Sequence, residues 1–108
     1  MPDYFIIYPT PYSTKCYDSS WTIYVVETQP ASGTALSGKT DTLVKKRIDD
    51  CDKIIYPIKN PNNSGYPYFK IGETSALLTY LGSLGLTLDT DLTTLTRSQY
   101  RHAFVFHS

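Results

Sequence analysis

Short runs of β-branched and aromatic residues, each bounded by proline, glycine or polar clusters, constrain the fold of this chain most strongly. The runs DYFIIYP and WTIYVVET predict strands over residues 4–8 and 21–28, with a proline-containing loop between them. DKIIYPI predicts a third strand, in which the proline favours an edge position or a bulge. YFKI predicts a short fourth strand. The final SQYRHAFVFHS alternates with strand periodicity and predicts a fifth.

Two segments have helical periodicity instead. From residue 41 onward, one set of positions falls on a single helical face, namely Leu43, Val44, Arg47, Ile48 and Cys51. A second amphipathic segment places its apolar residues at helical spacing and is closed by Gly85; these are Ala76, Leu77, Tyr80, Leu81 and Leu84. The stretch DTDLTTLT favours a further helical turn, capped by Asp89 or Thr90.

The resulting order, β-β-α-β-β-α-β, predicts an α+β fold. We expect one domain over residues 1–108, with a mainly antiparallel sheet of about five strands and two helices packed on one of its faces. A chain of 108 residues has the usual size of a single domain.

Charge and hydropathy restrict the partners. Ten lysines and arginines balance ten aspartates and glutamates, so no net field attracts nucleic acid or an anionic membrane from a distance. No apolar run reaches the roughly 18 residues that span a bilayer, and the start of the chain lacks the pattern of a signal peptide. We therefore expect a cytoplasmic protein without a membrane partner. Cys16 and Cys51 favour two reduced thiols, with one bridge as the alternative.

The stretch GTALSGKT, residues 33–40, matches the phosphate-binding pattern G-x-x-x-x-G-K-[ST]. In that pattern glycines turn backbone amides toward the phosphates, lysine reaches the terminal phosphates, and serine or threonine ligates magnesium. The residues in these places are Gly33, Gly38, Lys39 and Thr40. The chain thus resembles the phosphate-loop NTPase family over eight residues, and the resemblance implies binding of ATP or GTP.

Three features oppose this resemblance. The six residues ETQPAS separate Val26, the last apolar residue of the predicted strand, from the first glycine, whereas in phosphate-loop proteins the strand runs almost directly into that glycine. Asp89 is the only candidate for the second magnesium carboxylate, and the chain is short for that family's layered parallel sheet. We therefore expect a long loop that ends in a helix start at Thr40 or Asp41, and no cofactor. Nucleotide binding stays as the alternative.

The remaining clusters of charged and polar residues indicate solvent-exposed surface and not a catalytic site. Asp49, Asp50 and Asp52 point in different directions on a helix end, which indicates a solvated acidic surface and no metal site. His102 and His107 lie on opposite faces of the predicted last strand, which opposes a shared metal site or a paired acid–base role. A basic and aromatic patch is the best candidate for contacting phosphates and stacking a base, and it comprises Arg97, Tyr100, Arg101 and His102.

The abundance of tyrosine carries the functional prediction. The chain has ten tyrosines, and tyrosine serves recognition surfaces well because it buries area at low conformational cost. We expect a small non-enzymatic binding protein, such as a virus-encoded accessory factor or an assembly subunit. A protein partner or self-association is the first expectation and nucleic acid the second. The predicted contact residues are Tyr12, Tyr17, Tyr66 and Tyr68.

One further segment has a family resemblance. IGETSALLTYLG is similar to the strand–glycine–helix segment of small viral proteins that degrade cyclic oligoadenylates. The similarity covers about a tenth of the chain, and Glu73 occupies the place of that family's histidine. It therefore implies no activity here.

Overall fold

A computed structural model describes residues 2–12, 21–45, 52–63 and 65–108. Within these ranges the strands are β1 (Tyr4–Tyr12), β2 (Trp21–Val26), β3 (Leu43–Lys45), β4 (Lys53–Pro57), β5 (Thr87–Leu88) and β6 (Phe104–His107). The helices are a 3₁₀ turn (Ile71–Glu73), α1 (Thr74–Ser83) and α2 (Thr90–Thr96). The strands form one antiparallel sheet in the order β3-β4-β2-β1-β6-β5. The predicted α+β architecture is confirmed, with six strands rather than five.

β1 is longer than the sequence predicted, because residues 9–12 continue the strand instead of forming a loop. Pro9 pairs in register with Tyr24. The Tyr24 N–H donates to Phe69 O at 2.9 Å, and Tyr24 O accepts from the Ile58 N–H at 3.2 Å. The backbone polar groups of Tyr24 therefore point away from β1, so the missing N–H of Pro9 costs the sheet no hydrogen bond.

Helix α1 covers one face of the sheet, as the second amphipathic pattern predicted. Leu77 and Leu81 are fully buried in the first core cluster. The helix ends in a Schellman motif, in which the Gly85 N–H donates to Gly82 O and the Leu86 N–H donates to Leu81 O. Gly85 has a φ of 84°, which glycine adopts without strain. The sheet and loop residues of this cluster are Phe5, Ile7, Tyr24, Val26, Leu36, Ile58, Phe69, Leu86 and Phe106.

The opposite face of the sheet has a second cluster, built from Ile23, Val25, Ile55 and Tyr68 with Tyr8, Tyr12, Leu43 and Tyr66 packed around them. The β3–β4 ribbon curls over this face. Lys45 Nζ on β3 lies 3.0 Å from Thr10 Oγ1 on β1, although in a flat sheet three strand spacings, about 14 Å, would separate these strands. The curl is consistent with β4 pairing with β2 at only two positions.

The helix predicted from residue 41 is wrong where the structure describes it. Leu43, Val44 and Lys45 form β3 and pair with Ile55, Ile54 and Lys53 of β4. Leu43 packs on the second cluster while Val44 is 46% exposed, which is strand alternation. The other residues of the predicted face, Arg47, Ile48 and Cys51, lie outside the described ranges.

Helix α2, which confirms the helical turn predicted in DTDLTTLT, lies along the edge of β6. Asp89 caps α2 by accepting a hydrogen bond from the Leu92 N–H at 2.9 Å. The Val105 N–H donates to the buried Thr93 Oγ1 at 2.9 Å, and Val105 O accepts from the Asp89 N–H at 2.8 Å. Asp89 and Thr93 thus supply hydrogen-bond partners for the backbone N–H and C=O of Val105, at the edge of β6 that the two residues of β5 leave unpaired.

Two smaller predictions also need correction. YFKI forms isolated bridges, from Tyr68 to Lys59 and from Lys70 to Ile23, rather than a strand. The last strand contains only residues 104–107. Across the helices described here, none is long and apolar enough to cross a membrane.

Candidate macromolecule-binding site

Two aromatic rings and one ammonium group meet at the start of β2. The ring centroids of Trp21 and Tyr66 lie 5.5 Å apart. Lys70 Nζ lies 4.8 Å from the Trp21 centroid and 5.6 Å from the Tyr66 centroid. Trp21 is nevertheless 47% exposed. A cation in such a position is attracted by both rings, by about 0.5–1 kcal/mol at an exposed site. The ammonium group of Lys70 therefore contacts both rings at similar distances.

Backbone pairing positions Lys70. The returning segment 67–70 lies beside β2, where Ile23 and Lys70 form an antiparallel bridge. The 3₁₀ turn begins immediately afterwards, and the Lys70 N–H donates to Glu73 Oε1 at 3.0 Å. Lys70 therefore sits at the point where the extended segment becomes a turn, and its backbone is held on both sides.

An asparagine-rich loop positions Tyr66. Asn63 Oδ1 accepts hydrogen bonds from the N–H groups of Gly65, at 2.8 Å, and Tyr66, at 3.2 Å. Asn63 Nδ2 donates to Glu73 Oε2 at 3.2 Å. Both carboxylate oxygens of Glu73 thus accept hydrogen bonds, one from the loop and one from the Lys70 backbone. Glu73 couples the segment that carries Tyr66 to the segment that carries Lys70.

A shallow cavity of about 530 Å³ opens beside the rings. Its lining consists of Trp21, Thr22, Lys70, Ile71, Gly72 and Glu73. Ile71 is 49% exposed, so an apolar side chain lies next to the cation. This lining combines one aromatic ring, an apolar side chain and two opposite charges, those of Lys70 and Glu73, which is a mixture that binding sites use.

The structure brings together three of the four predicted contact tyrosines. Tyr12, Tyr66 and Tyr68 all belong to the second core cluster, and the Tyr66 and Tyr68 rings meet edge to face at 5.8 Å. Tyr17 lies outside the described ranges. Tyr68 is only 7% exposed and its hydroxyl donates to Asp41 Oδ2 at 2.7 Å. Tyr68 is therefore a buried residue that packs against Tyr66 and is not itself a surface contact.

Burial and the neighbouring carboxylate raise the pKa of Tyr68 well above its usual value. Burial also raises the pKa of Tyr66, with a smaller effect from Tyr12. Both hydroxyls are therefore neutral at physiological pH and present hydrogen-bonding groups rather than charge.

Sequence reasoning missed Trp21 and Lys70. The sequence pattern predicts Trp21 only as the first residue of a strand and Lys70 only as part of the short strand YFKI. Two signals were available, since Trp21 is the single tryptophan of the chain and it stands at a strand end next to a loop. Their contact depends on the pairing of segments far apart in sequence, which no local pattern shows.

The loop GTALSGKT forms turns that are held by internal backbone hydrogen bonds. The Ser37 N–H donates to Thr34 O and the Lys39 N–H donates to Leu36 O, both at 3.0 Å. Leu36, at a variable position of the motif, is fully buried in the first core cluster. A phosphate site requires such amides to point at the ligand. Here two of the amides already have carbonyl partners.

The described residues after this loop, 41–45, are not helical, which corrects the predicted helix start at Thr40 or Asp41. Thr40 forms a bridge with Ile58, and the Asp41 N–H donates to Pro57 O at 3.0 Å. The chain continues as an extended segment along β4, so no helix dipole is directed at the loop. Gly33 and Gly38 have φ values of 87° and 74° and supply its turns, while the Lys39 side chain is exposed.

The predicted basic and aromatic patch is partly engaged in internal contacts. Arg97 Nε donates to Ala103 O at 2.8 Å, and its guanidinium lies 5.2 Å from the Phe104 ring centroid. The Tyr100 hydroxyl donates to Glu27 Oε1 at 3.1 Å. Burial, followed by this hydrogen bond, raises the pKa of Tyr100.

The other two members of that patch, Arg101 and His102, are exposed. His102 adopts a φ of 59°, which places it in a tight turn rather than in the predicted strand. The patch therefore consists of two side chains anchored to the fold and two that face solvent.

Metal binding finds no support in the part of the chain that is described, where no group of three or more histidine, cysteine, aspartate or glutamate side chains could hold an ion. Asp49, Asp50, Cys16 and Cys51 lie outside that part.

Comparison of the chain with protein-family models, with curated proteins and with solved structures finds no match.

Proposed function

We propose that the chain is a small non-enzymatic binding protein that contacts another macromolecule through the surface formed by Trp21, Tyr66, Lys70 and Ile71, here named the aromatic–lysine surface. The observation that carries this proposal is Trp21. It is a large aromatic side chain, 47% exposed, on a strand of the central sheet and held against a cation.

Energetics support this choice of surface. Tryptophan and tyrosine dominate the energetically important positions of interfaces, because they bury large areas at low entropic cost. An exposed isoleucine beside them adds apolar area. Asn63 and Glu73 accept hydrogen bonds from the backbone N–H groups of Tyr66 and Lys70, so the backbone at these two residues is ordered before a partner arrives and little ordering of it is required on binding.

The experiment is a selection that does not presuppose the partner. A displayed library of random peptides is panned against the wild-type protein and against Trp21→Ala, with Leu95→Ala as the matched control. Leu95 is 70% exposed and lies on α2, so its substitution removes a surface apolar group elsewhere. We expect peptides enriched by the wild type to bind Leu95→Ala equally and Trp21→Ala at least about five-fold more weakly.

Sedimentation velocity over a wide range of protein concentrations tests whether the partner is a second copy of the chain. A mass that rises with concentration in the wild type and in Leu95→Ala, but not in Trp21→Ala, supports the proposal with a second copy as the partner. The proposal is overturned if bound peptides and any self-association are unaffected by Trp21→Ala. It is also overturned if the protein stays monomeric and neither peptides nor oligonucleotides bind.

A further inference from the structure

Strand β3 and the extended residues before it form one edge of the sheet, and within the described ranges no strand lies beyond β3. The Asp41 N–H donates to Pro57 O at 3.0 Å, so the backbone groups of Asp41 face β4. Leu43 continues the same register on β4. Because backbone groups alternate in direction along an antiparallel strand, those of Thr42 and Val44 point away from β4, toward the open side of the edge.

Side chains on this edge alternate between two faces. Leu43 packs on the second core cluster, on the face to which Asp41 and Lys45 also point. Thr42 and Val44 point to the opposite face and are exposed. These two residues therefore offer outward backbone groups at positions where their side chains reach solvent.

The charges of this edge are complementary to those of a second copy of the chain. Asp41 precedes Leu43 by two residues and Lys45 follows it by two. When two copies pair antiparallel about a two-fold axis at Leu43, Asp41 of each copy lies opposite Lys45 of the other. Asp41 already accepts from Tyr68, and Lys45 already donates to Thr10. The pairing therefore adds an unlike charge beside each group rather than a first partner.

Backbone direction selects the same register. With the axis at Leu43, Thr42 of one copy lies directly opposite Val44 of the other, and these are the residues whose N–H and C=O groups point outward. Leu43 then faces its own counterpart in a non-hydrogen-bonded pair, in which side chains come closest. An axis at Thr42 also matches the backbone but places Lys45 opposite Lys39. An axis two residues before Leu43 places two carboxylates opposite each other.

We propose that the open edge of β3 is a homodimer interface, in which β3 strands of two copies pair antiparallel about Leu43 and join the two sheets. This inference goes beyond the proposed function, because the interface is distinct from the aromatic–lysine surface. The paired segment is short and falls in the lowest size class of protein interfaces. We therefore expect a weak dimer, with a dissociation constant of about 10 µM to 1 mM.

Sedimentation velocity on the wild type and on two matched variants tests the interface. The mass of the wild type should rise toward that of a dimer between about 10 µM and about 1 mM protein. Val44→Lys places two lysines near the axis and should raise the dissociation constant at least about five-fold, since each change counts twice in a symmetric dimer. Ile54 is the register partner of Val44 on β4 and is 55% exposed, but lies one strand farther from the axis. Ile54→Lys should therefore dimerise like the wild type, and circular dichroism checks the fold of each variant.

A disulfide cross-link tests the register. In a background of Cys16→Ser and Cys51→Ser, Leu43→Cys brings two thiols into a non-hydrogen-bonded pair. The Cα atoms of such a pair lie about 4.5 Å apart, within the range that a disulfide spans. Mild oxidation of Leu43→Cys should give a covalent dimer on a non-reducing gel, and Ile54→Cys should stay monomeric.

Several results would overturn the inference. These are a wild type that stays monomeric up to about 1 mM, equal dimerisation of Val44→Lys and the wild type, and no cross-link in Leu43→Cys. If the chain stays monomeric while Val44→Lys weakens the binding of a panned peptide, the edge takes another extended segment and self-pairing is excluded. Dimerisation that is lost in Trp21→Ala but kept in Val44→Lys would overturn this inference and support the proposed function. The reverse pattern supports the dimer at β3.

Discussion

The Tyr68 hydroxyl donates a 2.7 Å hydrogen bond to Asp41, and this bond joins the base of the aromatic–lysine surface to the residue that follows GTALSGKT. Asp41 in turn pairs with β4 through its backbone N–H. The segment that carries Tyr66 and Tyr68 and the end of GTALSGKT are therefore connected through Asp41, next to β4.

This bond predicts a loss of stability at alkaline pH. Burial and Asp41 raise the pKa of Tyr68, so the folded state keeps its proton where the unfolded state releases it. The free energy of unfolding should therefore be unaffected by this group below about pH 10 and fall as pH rises above it. Urea unfolding at several pH values, with Tyr68→Phe alongside, measures the effect. The variant should show a shallower decline, and an equal decline would exclude Tyr68 as the cause.

The contact between Lys70 and Trp21 predicts energetic coupling. A double-mutant cycle with Trp21→Leu and Lys70→Met, followed by circular dichroism in urea, should give a coupling energy of about 0.5–1 kcal/mol. Methionine keeps most of the apolar stem and removes the charge. The same cycle between Lys70→Met and Leu95→Ala should be additive within about 0.5 kcal/mol. Additivity in both cycles would mean that the cation–ring contact contributes nothing.

Leu36 should matter for stability although it lies in a loop. It is fully buried in the first core cluster, so Leu36→Ala should lower the free energy of unfolding by about 2–5 kcal/mol. Lys39→Ala in the same loop alters an exposed side chain and should change it by less than about 0.5 kcal/mol. Similar small effects for both variants would show that the loop does not pack on the core.

The closed loop also makes a prediction about nucleotides. Because the amides of Ser37 and Lys39 already donate to carbonyls, thermal melts with and without magnesium and ATP or GTP should coincide. Lys39→Ala should melt identically under all of these conditions. A nucleotide-dependent rise in the wild type that Lys39→Ala abolishes would restore the phosphate-binding hypothesis.

The contact between α2 and β6 predicts a difference between two neighbouring threonines. Thr93 is buried and its hydroxyl accepts the Val105 N–H, so Thr93→Val should destabilise the protein by about 1–3 kcal/mol. Thr94 is exposed and its hydroxyl donates to Thr90 O within the helix, so Thr94→Val should cost less than about 0.5 kcal/mol. Unfolding in urea compares the two, and equal costs would contradict an edge role for Thr93.

Local sequence patterns predicted the elements that have a regular spacing of apolar residues and a recognisable end. Helix α1 followed from regular apolar spacing, and its end followed from Gly85. The residues from Leu43 to Lys45 fitted both a helical and an alternating pattern, and pairing with β4 decided between them. The two residues of β5 are too few for any periodicity to be visible.

The candidate site was harder to predict than the fold. The residue type alone predicts contact residues at Tyr12 and Tyr66, but the contact of Trp21 with Lys70 arises only when segment 67–70 pairs with β2. The curl of the β3–β4 ribbon, which brings Lys45 to Thr10, is likewise a tertiary feature. Contacts over such sequence separations have no local signature.

The burial of Leu36 has a consequence for the dynamics of GTALSGKT. A loop tethered only at its ends exchanges its amide hydrogens with solvent through small local openings. Here the amide of Lys39 is bonded to the carbonyl of Leu36, whose side chain lies in the core with α1. Because the buried side chain of Leu36 anchors the carbonyl that accepts this bond, we expect the Lys39 amide hydrogen to exchange on the timescale of the surrounding strands. The loop would then unfold cooperatively with the sheet.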